Sequence, residues 1–374
     1  MSETIIVIGG GMAGVSAAAE LSDHFKVVLL EREHFHGVHS TGRSAASYIP
    51  SYGYDDPSLR LLTSLSKPAF DNQLEGLSEV PLLKARGLLT LSPVGNDNYA
   101  AELQQLRSYF PSIVAVENLQ REFPSIPVKP EFATRGWLEP DATDIDVDAL
   151  LQAYLRKLKR GNGVVFTGIA IEKIEYKNDR WVVTCDSTVF HADKLINCAG
   201  AWADTVAQMA GASSGHLTPK RRTAINFSVE VESKEWPLII AADESFYLKP
   251  DAGKLLASPV DATPSVPCDS LPEEIDIATA AYNVEQALAL NIKRIEHSWA
   301  GLRTFAKDGS PVIGEDSLAP NFYWLAGQGG HGIQIAPAAA QLLASLVAET
   351  PLPDAFIKEN FDPQWVSPAR LLSS

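Results

Sequence analysis

Hydrophobic and polar positions fall into blocks from the first residues of the chain. Thr4-Ile5-Ile6-Val7-Ile8 is apolar without alternation, the pattern of a strand buried on both faces. It runs into Gly9-Gly10-Gly11-Met12-Ala13-Gly14, and the small residues from Ala13 to about Ser22 predict a helix lying close on that strand. Lys26-Val27-Val28-Leu29-Leu30 predicts a second buried strand, closed by Glu31.

The same style returns later. Val164-Val165-Phe166-Thr167 and Ala170 to Tyr176 predict strands, with Trp181 to Cys185 following after a polar turn. Lys194-Leu195-Ile196-Asn197-Cys198 predicts a buried strand that leads into Ala199-Gly200 and a short helix. Phe322-Tyr323-Trp324-Leu325-Ala326 predicts another, followed by Gly327-Gln328-Gly329-Gly330-His331-Gly332, which opens onto a long helix through Ala336 to Val347. Between these blocks proline, aromatics and period-two stretches such as Ala224-Ile225-Asn226-Phe227-Ser228-Val229 predict a second, mostly antiparallel sheet. The expected class is α/β (α+β): a Rossmann-like dinucleotide domain (1–80, 140–215 and 304–374) with a β-rich substrate domain (81–139 and 216–303) inserted twice.

Composition narrows the partners. The 374 residues are 45% apolar and 21% charged, with a net charge of −15 and no basic stripe. An acidic excess of this kind speaks against a nucleic-acid partner. Cys185, Cys198 and Cys268 are too scattered for a metal site or a disulfide framework, which suggests reduced thiols. No leader is read before the first strand, and no apolar run reaches the roughly 20 residues that a membrane span needs. The expectation is a cytoplasmic protein with no integral membrane segment.

The glycines carry the first chemistry. In Gly9-x-Gly11-x-x-Gly14, the first permits the tight turn, the second lets a pyrophosphate approach the backbone, and the third lets helix and strand touch. The helix start offers unpaired N–H groups and a positive dipole end to phosphate. Glu31 stands where a ribose hydroxyl would donate. FAD and NAD share this fingerprint. Ser40-Thr41-Gly42-Arg43-Ser44-Ala45-Ala46 and the second glycine loop, Gly327 to Gly332, favour FAD, because a helix start behind that loop would stabilise negative charge on a flavin ring. Arg303, after Trp299-Ala300-Gly301-Leu302, is a cation in apolar company and needs an anionic partner, either a substrate carboxylate or a structural ion pair.

These residues also carry a family likeness. Gly9 to Gly14, His39 to Ala46, Asp144 to Leu150 and Asn197 to Trp202 resemble the glycine oxidase and sarcosine oxidase family of FAD enzymes, in its D-amino-acid-oxidising branch. So do Pro219 to Arg222, Asp243 to Pro250, Trp299 to Arg303 and Gly327 to Gln334, most like D-arginine-oxidising members. The resemblance implies non-covalent FAD held by Gly9, Gly11, Met12, Ala13, Gly14, Glu31, Arg32, Thr41, Gly42, Arg43, Ser44, Ala45 and Ala46. It extends the set to Ala170 (on a strand that would meet the adenine), Ala199, Gly200, Trp202, Gly301, Arg303, Gly329, Gly330, His331, Gly332, Ile333 and Gln334.

At the substrate, the resemblance implies that Arg303, Tyr247 and Arg222 hold the carboxylate and that Tyr52 covers the site. On sequence alone, Arg222 in Lys220-Arg221-Arg222 reads as a solvated corner and Tyr247 equally as a packed strand aromatic. Gly330 would offer its carbonyl to the amine, and His331 would serve as lid or proton acceptor. Hydride would pass from Cα to flavin N5, giving an imino acid that hydrolyses to a 2-oxo acid and ammonia. Oxygen, a quinone or an electron-transfer protein would take the electrons. Three positions depart from the D-arginine-oxidising pattern: Ser47 for histidine, Ile49 for threonine and Leu88 for the glutamate that pairs with the guanidinium. Uncharged or apolar D-amino acids are therefore the expected substrates. The same clamp would serve N-methyl or other secondary amino acids, or a 2-hydroxy acid.

Overall fold

In the computed structural model, which describes residues 3–161, 163–186 and 188–373, the opening apolar run is the centre of a six-stranded sheet. The strand order is Val312–Glu315, Phe322–Ala326, Lys194–Asn197, Thr4–Ile8, Lys26–Leu30, Gly163–Phe166. All neighbours run parallel except the first pair, whose outer strand turns back on Phe322–Ala326. Ile5, Ile6 and Val7 are fully buried because helices cover one face and a small sheet the other, which explains the missing alternation.

Three helices, Met12–Leu21, Val147–Arg160 and Ala336–Val347, pack together on one face. The opposite face carries the antiparallel strands Lys173–Lys177, Arg180–Cys185 and Thr188–Ala192 and the helix Ala203–Ala210. The strand predicted from Ala170 begins only at Lys173. Gly168 turns the chain with φ +70°, and the N–H groups of Gly168 and Ile169 bond to the carbonyls of Glu33 and Glu31, so this stretch is a loop laid against the end of the second strand.

The second sheet has nine strands. Thr218–Phe227 lies at its heart, paired with His297–Phe305 on one side and Lys254–Ser258 on the other. Tyr247–Asp251, Leu238–Ala241, Leu88–Pro93, Ala133–Glu139 and Val114–Val116 continue outward, antiparallel except where Leu238–Ala241 meets Leu88–Pro93. A helix that the pattern did not signal, Glu274–Ala287, covers its outer face and buries Ala280, Val284 and Ala287. Another three-stranded sheet joins Ser47–Tyr48 and Leu83–Ala85 across Thr143–Ile145, so it draws strands from both sides of the boundary expected at residue 80.

Candidate active site

The cavity begins at the glycine turn. Gly9 adopts φ +108°, and a Cβ there would stand 2.4 Å from the Cys198 carbonyl oxygen. A Cβ on Gly14 would stand 1.7 Å from the Gly9 carbonyl oxygen, so strand and helix touch through backbone alone. A Cβ on Gly11 would meet nothing closer than Thr41 Oγ1 at 3.4 Å: this glycine faces open space. Gly11 caps the helix without a side-chain bond, and Thr41 Oγ1 accepts the Met12 N–H at 2.9 Å. Glu31 accepts the N–H groups of Gly10 (2.5 Å) and Glu33 (2.8 Å), and still borders the cavity.

Beyond the turn, the lining runs through Arg32, Thr41, Ser44, Ala45, Ala199, Gly200 and Trp202 to Gly301, Gly329, Gly330, Gly332 and Ile333. Trp202 closes one wall, with the Arg32 guanidinium 4.4 Å from its ring centre and the His39 ring 4.8 Å away. Glu33 bridges Arg32 (2.9 Å) and His39 (3.0 Å), which fixes that edge. A long groove with a glycine cradle at a helix start and a carboxylate beside it fits a dinucleotide. The same groove reaches a second glycine loop at the nine-stranded sheet, which fits FAD.

Several expected contacts are placed differently. Ala170 is exposed, and its neighbours Ile169 and Ile171 line the cavity instead. Gln334 faces away: it accepts the Ile49 N–H at 3.1 Å and donates to Thr63 at 3.0 Å. Arg43 borders the cavity, but its guanidinium donates to the carbonyls of Val38, Ser270 and Ala300 and pairs with Asp269, which fastens the loop to the second sheet. Gly14, Gly42, Ala46 and His331 do not line it either; Gly42 donates its N–H to the Gly37 carbonyl at 2.7 Å. The last long helix begins at Ala336, a turn beyond the glycines expected to open onto it, because residues 332–335 form turns first.

The second sheet supplies the charges. Arg222 stands opposite Gly301, and Arg303 opposite Lys220, so the two arginines share one face of adjacent strands. Both line the cavity together with Tyr247, which comes from two strands along, beyond Lys254–Ser258. Arg222 donates Nε–H to the Asp261 carbonyl at 2.7 Å and forms no ion pair among the described residues; neither does Arg303. Burial, and then the charge of Arg303, hold the Arg222 pKa below the usual guanidinium range. Two adjacent cations without a protein carboxylate form a receptor for an anion.

Tyr52 lies over this receptor. A Cβ on Gly330 would stand 2.4 Å from Tyr52 Oη and 3.1 Å from Arg303 Nη1, so glycine is what allows lid, loop and guanidinium to meet. The Tyr52 ring stacks on His331 at 4.1 Å between centres. His331 is buried, its Nε2 packs toward Gly53, and burial, then Arg303, press its pKa down to about 4. The ring stacks on Tyr52 outside the cavity lining, and burial keeps it neutral near pH 7.

This burial has a consequence for stability. Between pH 6.5 and about 4 the unfolded chain takes up a proton at His331 that the folded chain refuses, so stability is full above 6.5 and is lost as the pH falls through that window. His331→Phe should remove up to one proton's worth of this slope, about 1.4 kcal/mol per pH unit. Parallel pH-dependent melts of both proteins measure it, and superimposable curves would refute it.

Leu88 sits where a cation partner was expected to be missing. It is buried with Ala142 and Leu238, against Ile49, Ile240 and Tyr247, in an apolar cluster that meets the cavity through Tyr247. Asp261, which orients Arg222, and Glu139, buried one strand over from Leu88, gave no sequence signal, since each depends on which strands the sheet brings together. No group of described residues could hold a metal ion, and no described helix is long and apolar enough to cross a membrane.

A family model described as FAD dependent oxidoreductase (DAO) matches residues 4–346. FAD-dependent oxidoreductase domain-containing protein 1 of Bos taurus is 22% identical over 408 residues, which span 92% of this chain and 81% of that protein. Among solved structures, L-proline dehydrogenase from P. horikoshii aligns with a TM-score of 0.83 at 20% identity, covering 100% of this chain and 98% of that one. Glycine oxidase from Geobacillus kaustophilus aligns with a TM-score of 0.80 at 18% identity, covering 98% of each chain.

Proposed function

As the chain belongs to the DAO family of FAD dependent oxidoreductases, with FAD as its cofactor, we propose that it deaminates D-amino acids with uncharged or apolar side chains to 2-oxo acids and ammonia. The observation that carries this reading is the pair of guanidiniums, Arg303 and Arg222, facing the cavity with no protein carboxylate between them. Bound FAD supplies the hydride acceptor. Arg303 holds the substrate carboxylate through its planar fork, Arg222 adds a second charge, and Tyr247 donates from its phenol. The two cations also disfavour an ammonium nearby, so the substrate sits as the free amine without a protein base. Tyr52 closes over it and excludes water. The D configuration is carried over from the motif likeness.

The apolar cluster around Leu88 sets the side-chain preference. A cationic side chain placed there would lose a charge-assisted partner, a deficit of about 2–4 kcal/mol, or roughly thirtyfold and more. A panel of D- and L-amino acids, N-methyl amino acids and 2-hydroxy acids, run with an artificial electron acceptor and an ammonia assay, tests this. D-leucine, D-methionine or D-phenylalanine should exceed D-arginine and D-lysine in kcat/KM by at least about thirtyfold. A best rate with D-arginine, or turnover that releases no ammonia, would overturn the proposal.

A further inference from the structure

The segment from Ile49 to Asp56 crosses the mouth of the site and is pinned at both ends. Ile49 donates its N–H to Gln334, and Asp56 accepts the N–H groups of Ser58 (2.7 Å) and Leu59 (3.3 Å), where it caps the helix Pro57–Asp71. Between the pins the segment touches both halves of the site. On the cofactor side Tyr52 stacks on His331. On the substrate-sheet side Ser51 bonds to Glu139 twice, its N–H to Oε1 at 3.1 Å and its hydroxyl to Oε2 at 2.5 Å.

Glu139 is out of place for an ordinary glutamate. It is 1% exposed, on the last residue of the Ala133–Glu139 strand, and stands directly opposite Leu88. It forms no ion pair among the described residues, and burial pushes its carboxyl pKa up. A carboxylate kept from water without a cation is costly, and the two Ser51 bonds are what offset the cost here. It does not line the cavity.

We propose that Glu139 is a positioning residue that latches the Tyr52 segment over the amino-acid site through its paired bonds to Ser51. With the segment down, both oxygens accept from Ser51. With it raised, the carboxylate gains water in their place, so opening exchanges one set of bonds for another and stays reversible. The latch rests on the amino-acid reading above only for its kinetic arm.

The FAD-loaded protein, with Glu139→Gln, Ser51→Ala and the double variant, tests it in three ways. Amide hydrogen exchange at residue 51 should quicken about tenfold in Glu139→Gln, since a neutral side chain offers a weaker acceptor. Benzoate, a carboxylate probe read through flavin absorbance, should leave about tenfold faster, and KM should rise by the same factor. Flavin reduction at saturating amino acid should stay within about twofold of the parent, because the latch touches no reacting atom. Ser51→Ala, which keeps one of the two bonds and changes little else, should show a smaller shift of the same kind. The double variant should match Glu139→Gln, as both residues belong to one contact.

Unchanged exchange at residue 51 in Glu139→Gln would overturn the latch. So would effects that multiply in the double variant, or a fall in the saturated reduction rate with benzoate release unaltered. If no amino acid is oxidised at all, the functional reading fails, and the exchange measurement still decides the latch.

Discussion

Arg303→Ala is expected to lower kcat/KM for the preferred amino acid about a thousandfold, mostly through KM, while the protein stays yellow. Truncating one partner of a desolvated charge pair costs about 2–5 kcal/mol, and the upper part of that range applies where the fork is the main anchor. Arg222 alone would leave the carboxylate held from one side, so kcat should also fall as the Cα–H loses its aim. FAD should remain, because the glycine turn and the Thr41 loop hold together without Arg303. Arg303→Lys should fall between, since it restores charge without the planar fork. Kinetics with flavin absorbance measured on the same preparation give the answer. A colourless Arg303→Ala whose KM recovers in excess FAD would move the residue from the substrate to the cofactor.

Gly14→Ala should yield protein that purifies without flavin. The added carbon would lie 1.7 Å from the Gly9 carbonyl oxygen and 3.2 Å from Cys198 Cβ, and neither backbone nor buried thiol can give way cheaply. The helix must lift from the strand, which spoils the turn that receives the pyrophosphate and costs about 1–3 kcal/mol of stability from overpacking alone. Gly11→Ala is the informative partner. Its carbon meets only Thr41 Oγ1 at 3.4 Å, so the apoprotein should keep its melting temperature and still bind FAD poorly. Flavin content and apoprotein melting temperature separate the two variants. Ordinary flavin content in Gly14→Ala would contradict the tight contact.

The unit built around the six-stranded sheet was legible because its signals are local. Thr4–Ile8, Lys26–Leu30 and Phe322–Ala326 match their apolar runs residue for residue, and the last helix ends at Val347 where its small-residue stripe ends. Where a backbone break decides the outcome the reading slipped. Gly168 at φ +70° delays a strand to Lys173, and turns over 332–335 delay the last helix. Glu274–Ala287 was missed because its buried residues are mostly alanines among polar neighbours, a face too faint to register.

Side-chain roles divide in the same manner. Arg222 reads as a solvated corner in Lys220-Arg221-Arg222, yet the pairing of its strand with His297–Phe305 sets it beside Arg303, and Arg221 takes the exterior ion pairs with Glu273 and Asp276 instead. Arg43 and Gln334 lie in motifs that point to cofactor, and their polar groups are spent on joining segments. His331 follows the glycines in sequence, but its surroundings make it neutral and turn it to Tyr52.

By itself the sequence determined the dinucleotide turn, since a glycine without a Cβ is the only residue that lets Gly9, Gly14 and the Cys198 carbonyl crowd together, and that demand is written within six positions. Only the tertiary structure decided which charges stay unpaired. Whether a guanidinium or carboxylate meets a partner depends on strands as distant in sequence as Leu88–Pro93, Thr218–Phe227 and His297–Phe305 lying side by side, and burial, which raises the cost of every unpaired charge, exists only once they do.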